Sequence, residues 1–168
     1  VPVKLTEEET KAYKEANNLF VQAKYRLGGF DAFNNAQMII SGRAPGDKAA
    51  AAMFYTGIRD RKTVVQHAVA KKEHAKTIIS DYAGKKVLVF SGTNAFTDEM
   101  SDHLGGVAYH SGKTKKQRKS ILEEFKSGES KVLCSTKALN QGFDVPDSEV
   151  GIIAGLESKA LPMIQRIG

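Results

Sequence analysis

Cysteine is almost absent from this sequence, because Cys134 is the only one among its 168 residues. A single thiol cannot form an intrachain disulfide, and it cannot supply the cysteine ligands of a structural zinc site. A chain without disulfides suits a reducing compartment. We therefore expect an intracellular protein, and we expect no metal site built by this chain itself.

Long apolar runs are absent as well. No run approaches the ~20 residues that a membrane-spanning helix needs, and the opening residues VPVKL lack the basic and apolar segments of a signal peptide. The sequence does not begin with Met, and no stop signal follows its last element. We expect no membrane-spanning segment, and we expect the sequence to be an excised piece of a longer chain.

A phosphate-binding loop is the third absence. The pattern Gly-x-x-x-x-Gly-Lys-Ser/Thr does not occur, and neither does an acidic box of the Asp-Glu-x-His type that holds a metal ion. These two motifs cradle the nucleotide phosphates and magnesium in P-loop ATPases. The sequence therefore lacks the nucleotide cradle of such an enzyme.

Positive charge is what the sequence has in excess. It contains 25 Lys and Arg against 19 Asp and Glu, which gives a net charge of +6. Hydrophobic residues make up 41%, which is typical of a globular protein with an ordinary core. The basic balance favours a polyanionic partner, either nucleic acid or an acidic membrane surface.

The N-terminal residues predict an edge strand followed by a capped helix. Residues 1–5 alternate apolar and polar side chains, and Pro2 suits a strand at the edge of a sheet. Thr6 precedes three glutamates, in the pattern of a capping box. This pattern predicts a helix that begins after Thr6 and ends near Leu27, before two glycines.

A loop and two helices are predicted after this first helix. Residues 42–46 (GRAPG) predict the loop, residues 49–55 predict a helix, and residues 60–82 predict a long basic helix. The basic side chains of the long helix have two interpretations. They form either a solvated surface or a surface that lies along a duplex backbone.

From residue 85 onward, short apolar runs alternate with helical patterns. Continuous apolar runs of this kind are typical of strands that are buried on both faces. Strands that alternate with helices predict right-handed crossovers and a parallel sheet, hence an α/β fold. The predicted strands are residues 87–90, 107–109, 132–134 and 150–154. The helices between the first three are indicated by the apolar spacing of residues 96, 100 and 104 and by residues 115–126.

Small and hydroxyl-bearing residues follow each predicted strand. In an open α/β sheet, ligands bind at the carboxyl ends of the strands, where small residues let a ligand approach the backbone. Hydroxyl and N–H groups at helix starts suit phosphate oxygens, although the same residues also make ordinary turns and caps. The pattern favours a phosphate-rich ligand. The residues are Ser91-Gly92-Thr93, His110-Ser111-Gly112, Ser135-Thr136-Lys137 and Gly155.

The order of these segments resembles the C-terminal motor domain of superfamily 2 helicases. The resemblance implies a RecA-like parallel sheet sandwiched by helices over residues 84–168, truncated at its last motif, with residues 1–83 as an edge strand and helical extension. The start of the chain is similar to that of Rad54-like, DNA-repair and phage branch-migration helicases. The segments are VLVFS (87–91), YHSG (109–112), Arg118, Phe125, VLCST (132–136), QGFDVP (141–146) and QRIG (165–168).

The resemblance implies a set of residues that grip a nucleic-acid backbone. In it, Ser91 and Gly92 contact a phosphate, and Thr136 bonds a phosphate of the tracked strand. Gly112 marks a loop that approaches the strand, with Arg118 on the helix behind it. His110 either contacts the strand, helps a catalytic relay, or is a half-buried histidine of a turn. The implied partner is nucleic acid, DNA in particular, and not a membrane.

The resemblance also implies a nucleotide edge that uses ATP with Mg. Gly142 and Asp144 match the motif that couples strand contact to the nucleotide, with Asp144 near the ribose or the attacking water. Gln165 and Arg166 open the catalytic motif, whose finger arginines lie beyond Gly168 in the family. The phosphate cradle is then expected on a first motor domain of the same parent chain. The implied location is the cytoplasm of a bacterial or phage-infected cell, or a nucleus.

Two other functions remain open. The chain could be a binding or interaction module that keeps the fold without the motor activity. It could also belong to a translocase that moves along duplex DNA without separating the strands. The isolated 168 residues are expected to be inactive in ATP hydrolysis in each case, because they carry no P-loop.

Overall fold

The structure, a computed structural model, describes residues 2–136 and 148–155. The chain divides into two compact units, residues 1–68 and residues 69–168. No helix in these described ranges is long and apolar enough to cross a membrane.

The first unit is helical in its described residues. Helix α1 spans Glu7–Arg26, α2 spans Ala32–Ile40 after a short 3-10 turn at Gly29–Asp31, and α3 spans Lys48–Gln66. The predicted capping box is confirmed: Glu9 N–H donates to Thr6 Oγ1 at 3.2 Å, and Thr6 N–H donates to Glu9 Oε2 at 2.8 Å. These two bonds satisfy backbone donors that the first helical turn leaves without partners.

Small residues let α1 and α3 pack closely. Gly57 of α3 is buried against α1, and a Cβ at this position would lie 2.7 Å from Phe20 N and 2.9 Å from Ala16 O. Arg61, one turn further along α3, places its guanidinium 4.4 Å from the centre of the Phe20 ring and bonds Asn17 Oδ1 at 3.2 Å. This basic residue therefore stabilises the helix pair.

Replacing Gly57 with alanine is expected to destabilise the first unit by about 1–3 kcal/mol, because the new methyl group forces the α1 backbone away. The gain in helix propensity, about 0.5–1 kcal/mol, offsets part of the loss. Urea unfolding followed by circular dichroism measures the change. Lys62→Ala, an exposed change on the same helix, is the control. Equal stabilities of the two variants would contradict the close contact.

Two predictions for the N-terminal half are wrong. Residues 2–5 are not a strand, because no described strand pairs with them. The predicted helix over residues 60–82 is two helices, since α3 ends at Gln66 and α4 spans Val69–Asp81. Three consecutive β-branched residues, 63–65, precede the break and weaken helix propensity there. The break falls where the chain passes from one unit to the other.

The second unit contains a parallel sheet, as predicted. Its strands are β1 (Val87–Phe90), β2 (Val107–Tyr109), β3 (Val132–Ser135) and β4 (Val150–Ile153), in the spatial order β2-β3-β1-β4. All three described pairings are parallel. Helix α5 (Asn94–Leu104) connects β1 to β2, and α6 (Lys115–Ser127) connects β2 to β3.

Alternate residues of β1 point into two cores. Val87 and Val89 face Phe96 and Met100 of α5, on the side of the sheet that α4 also covers through Ala75. On the opposite face, Leu88 and Phe90 pack with residues of α6, namely Leu122 and Phe125. Both faces are covered, so β1 is buried along its whole length. The predicted fold class, a parallel α/β sheet sandwiched by helices, is confirmed.

Candidate nucleic-acid interface

The carboxyl ends of the four strands meet at one edge of the sheet. Ser91 N–H, just past β1, donates to Ser135 O at 2.9 Å, and Thr136 N–H donates to Tyr109 O at 3.4 Å. On the other side of β1, Gly155 approaches Gly92 so closely that a Cβ on Gly155 would lie 3.3 Å from the Gly92 nitrogen. Parallel pairing thus places segments from distant parts of the sequence side by side.

The turn after β1 directs its first hydroxyl inward. Ser91 is buried, and its Oγ donates to the Thr93 carbonyl at 3.3 Å and contacts the Thr97 hydroxyl. Thr93 caps α5 by accepting a bond from Phe96 N–H at 3.1 Å. Gly92 is half-buried and has no side chain, so its backbone is the part of this turn that a phosphate oxygen can approach.

His110, which follows β2, is buried between two protein partners. Its Nε2 lies 3.1 Å from both carboxylate oxygens of Asp98, and its Nδ1 accepts a bond from Gly112 N–H at 3.2 Å. A nitrogen that accepts carries no proton, so this geometry assigns the proton to Nε2, which donates to Asp98. The imidazole therefore joins α5 to the loop after β2.

Asp98, on α5, is an ionised carboxylate that contacts two residues of this loop. Burial raises its pKa, but hydrogen bonds from Lys113 and His110, together with the positive charge of Lys113, outweigh burial and hold the pKa below its usual range. Lys113 Nζ lies 2.9 Å from Asp98 Oδ1. One carboxylate on α5 thus orders two side chains of the loop.

Gly112 is confined by the histidine ring. A Cβ at Gly112 would lie 3.0 Å from His110 Nδ1, which is tighter than ordinary contact, and 3.4 Å from Asn94 Nδ2. Asn94 also donates to Ser111 Oγ at 3.4 Å. These contacts join the start of α5 to the loop after β2, so the first two strand-end segments form one surface.

Helix α6 extends this surface with cations. Thr114 caps the helix through a capping box with Gln117. A cleft of about 890 Å³ lies along the helix beside Tyr109. Within the described residues, the Nε of Arg118 is buried in this region without a hydrogen-bond partner. The other lining residues are Lys115, Lys116, Lys119, Leu122, Glu123 and Lys126.

Four of the predicted site residues lie outside the described residues. These are the predicted nucleotide contacts Gly142 and Asp144 and the predicted catalytic residues Gln165 and Arg166. The structure places the other predicted residues, Ser91, Gly92, His110, Gly112 and Thr136, at the carboxyl edge of the sheet. Sequence reasoning did not identify Asp98 or Lys113, because a carboxylate on a helix and a lysine in a loop are common on any surface.

A family model described as the helicase conserved C-terminal domain matches residues 70–168 of this chain. The chain belongs to this family. The match begins within one residue of the second compact unit, so α4 lies inside the helicase domain. The resemblance to superfamily 2 helicases is thereby confirmed at the level of the domain, and the relatives are ATP-dependent helicases and translocases.

Individual relatives align with different fractions of this chain. It is 25% identical, over 99% of its length, to the DNA 3'-5' translocase XPB2 of Sulfurisphaera tokodaii, and it spans 38% of that protein. It is 29% identical, over 62% of its length, to DEAD-box ATP-dependent RNA helicase 40 of Arabidopsis thaliana, and it spans 10% of that protein. The chain thus spans less than half the length of these relatives.

One solved helicase shares the fold over nearly the whole chain. The Hef helicase domain of Pyrococcus furiosus matches with a TM-score of 0.51 at 21% identity. The match covers 95% of this chain and 32% of that one. At this identity the likeness shows a shared fold.

Proposed function

We propose that this chain is the second motor domain of an ATP-dependent DNA helicase or translocase. The observation that carries the proposal is the shared carboxyl edge of the parallel sheet. There, backbone bonds join the ends of neighbouring strands, and the loop after β2 carries Lys113, which Asp98 orders. A motor that moves along a strand must hold it without reading its sequence, so its contacts go to phosphates and sugars.

Nucleotide hydrolysis is proposed to require a first motor domain of the same polypeptide. The sequence contains no P-loop, so ATP and Mg are bound mainly by that domain. Gly142 and Asp144 face the nucleotide from this chain, and Gln165 and Arg166 contribute to the γ-phosphate side. Closure of the two domains then couples hydrolysis to movement of the strand contacts.

DNA is proposed as the substrate rather than RNA. The DNA translocase relative aligns with 99% of the chain, whereas the RNA helicase relative aligns with 62%. The helical unit of residues 1–68 is therefore shared more fully with the DNA motor. We extend the proposal to the branch of Rad54-like, DNA-repair and phage branch-migration helicases. Such a protein acts where DNA is, in the cytoplasm of a bacterial or phage-infected cell or in a nucleus.

The isolated 168-residue chain is expected to bind labelled single-stranded DNA but not to hydrolyse ATP. Fluorescence anisotropy over a series of salt concentrations measures binding, and release of inorganic phosphate measures hydrolysis. Affinity should fall steeply with salt, because each phosphate contact releases a counterion. A labelled RNA of the same sequence is the control for substrate. Salt-insensitive binding, or ATP hydrolysis at an ordinary enzymatic rate, would refute the proposal.

The two rival functions are tested on the parent chain. A non-catalytic module would bind nucleic acid without nucleic-acid-stimulated ATPase. A duplex translocase would displace the third strand of a triplex but would not separate a duplex. A strand-displacement assay run beside a triplex-displacement assay therefore distinguishes it from a helicase.

A further inference from the structure

The backbone N–H groups and the imidazole of the loop after β2 form hydrogen bonds to other groups of the protein. The Gly112 N–H donates to His110 Nδ1, and His110 Nε2 faces both oxygens of Asp98. Lys113 N–H is also bonded, to the His110 carbonyl at 3.1 Å. The backbone donors of Gly112 and Lys113 and the imidazole are therefore committed to holding the loop in shape.

The side chain of Lys113, unlike these groups, keeps donors that no protein group occupies in the contacts described above. Its ammonium lies 2.9 Å from Asp98 Oδ1, and the side chain is 31% exposed. An ammonium has three donors, and this carboxylate occupies one of them, so the remaining donors can reach a second anion. Asp98 is itself 43% exposed, so the pair lies at the surface and not in the core.

Asp98 restricts where the lysine can reach. A free lysine side chain samples many rotamers, and ordering it costs up to about 2 kcal/mol of conformational entropy. The bond to Asp98 orders it before any ligand arrives. The same carboxylate also holds His110, so the lysine and the loop are positioned together by one residue of α5.

We propose that Lys113 is a phosphate-binding residue of this edge and that Asp98 is its positioning residue. The inference rests on the proposed function, because it concerns the same strand-binding surface. It assigns the ionic contact of the loop to Lys113 rather than to His110 or Gly112. The ligand is the sugar-phosphate backbone of a single strand.

Replacing Asp98 with asparagine separates this proposal from simple charge attraction. The change removes a negative charge from a protein with a net charge of +6, so charge alone would strengthen binding to a polyanion. Loss of positioning would weaken it. We expect Asp98→Asn to raise the Kd several-fold, and we expect Asp98→Asn with Lys113→Gln to bind no worse than Lys113→Gln alone.

The salt dependence of binding tests whether Lys113 itself contacts a phosphate. The full 168-residue chain is titrated with a fluorescein-labelled oligothymidylate at a series of NaCl concentrations. Lys113→Gln should reduce the slope of log K against log salt by about 0.7, the value for one lost phosphate contact on a single strand. Lys131→Gln removes the same charge from an exposed side chain just before β3, at the amino edge of the sheet, and it should leave the slope unchanged.

The outcomes are distinct. Equal effects of Lys113→Gln and Lys131→Gln, or tighter binding by Asp98→Asn, would overturn the inference and leave the proposed function standing. A smaller slope for Lys113→Gln together with weaker binding by Asp98→Asn supports it. The absence of salt-dependent binding by the unaltered chain would instead overturn the proposed function, and this inference with it. Thermal unfolding of each variant confirms that the sheet has formed.

Discussion

Replacing Arg166 with alanine in the parent chain is expected to lower the kcat of nucleic-acid-stimulated ATP hydrolysis by about 100- to 1,000-fold. The reason is electrostatic: charge develops on the γ-phosphate during transfer, and in the proposal Arg166 adds positive charge on that side, ahead of the finger arginines that follow Gly168 in the family. Removal of one group that stabilises the charge of a transition state typically lowers kcat by about 100- to 1,000-fold. The prediction follows from the motif that Gln165 and Arg166 open, at residues outside the described ranges.

Thr136→Ala gives the contrasting result. Thr136 follows β3 at the carboxyl edge, where the proposal places the tracked strand. Its loss should raise the concentration of DNA needed for half-maximal stimulation more than it lowers the maximal rate. Steady-state phosphate release, with DNA and ATP varied separately, measures both effects. Lys131→Ala, an exposed change just before β3 at the amino edge of the sheet, is the control. Full stimulation in both the Arg166 and Thr136 variants would refute the assigned roles.

The sheet could be predicted because its signals are local. The apolar runs at β1 and β3 are continuous, since both faces of these strands are covered. Helix starts are also local: Thr6 and Thr114 both make capping boxes with the residue three positions later. Such signals need no knowledge of distant residues.

The errors in the N-terminal half have a different origin. Basic residues on both sides of the break, such as Arg61 and Lys71, suggest one charged helix when they are considered by sequence alone. In the structure Arg61 packs on the aromatic ring of Phe20, from a helix about 40 residues earlier in the chain. Whether a basic residue is solvated or packed depends on such tertiary contacts, and periodicity does not contain them.

The sequence predicted that the strand ends meet at one edge of the sheet, but it did not predict which way the side chains at that edge point. A parallel sheet places the carboxyl ends of its strands together, and the alternation of strands and helices in the sequence predicts a parallel sheet. It does not show that the Ser91 hydroxyl is directed inward, or that Asp98 bonds His110 twelve residues later. The second contact depends on how α5 is seated against β2. The helicase resemblance names residues at this edge, and the structure shows which of their donors are already used.

Cys134 offers a direct test of whether DNA binds the folded sheet. It lies in the middle of β3, between β1 and β2, and it is fully buried. Burial raises the pKa of its thiol to about 12, because a thiolate would lose its hydration. The usual thiol pKa is about 8.5, so the buried thiol carries less of the reactive thiolate at neutral pH.

Labelling of Cys134 by a thiol reagent is expected to be at least about a thousandfold slower in the native chain than in the urea-unfolded chain, because the folded form of a small domain outweighs the open form by at least about 10³. Because the strand has no exposed thiol, labelling requires opening of the sheet. Its rate then follows the population of the open form when closing is fast. Absorbance of the released thiolate of an aromatic disulfide reagent measures the rate. Rapid labelling of the native chain would contradict the burial.

A ligand that binds only the folded sheet lowers this rate further. At a free DNA concentration of 100 times Kd, binding stabilises the folded form by about 2.7 kcal/mol, so labelling should slow about 100-fold. Lys113→Gln, at the same DNA concentration, should show less protection than the unaltered chain. DNA that binds the chain yet leaves the labelling rate unchanged would contradict binding to the folded sheet. Strong protection in the unaltered chain, and weaker protection in the variant, would locate the bound strand at the edge formed by β1, β2 and β3.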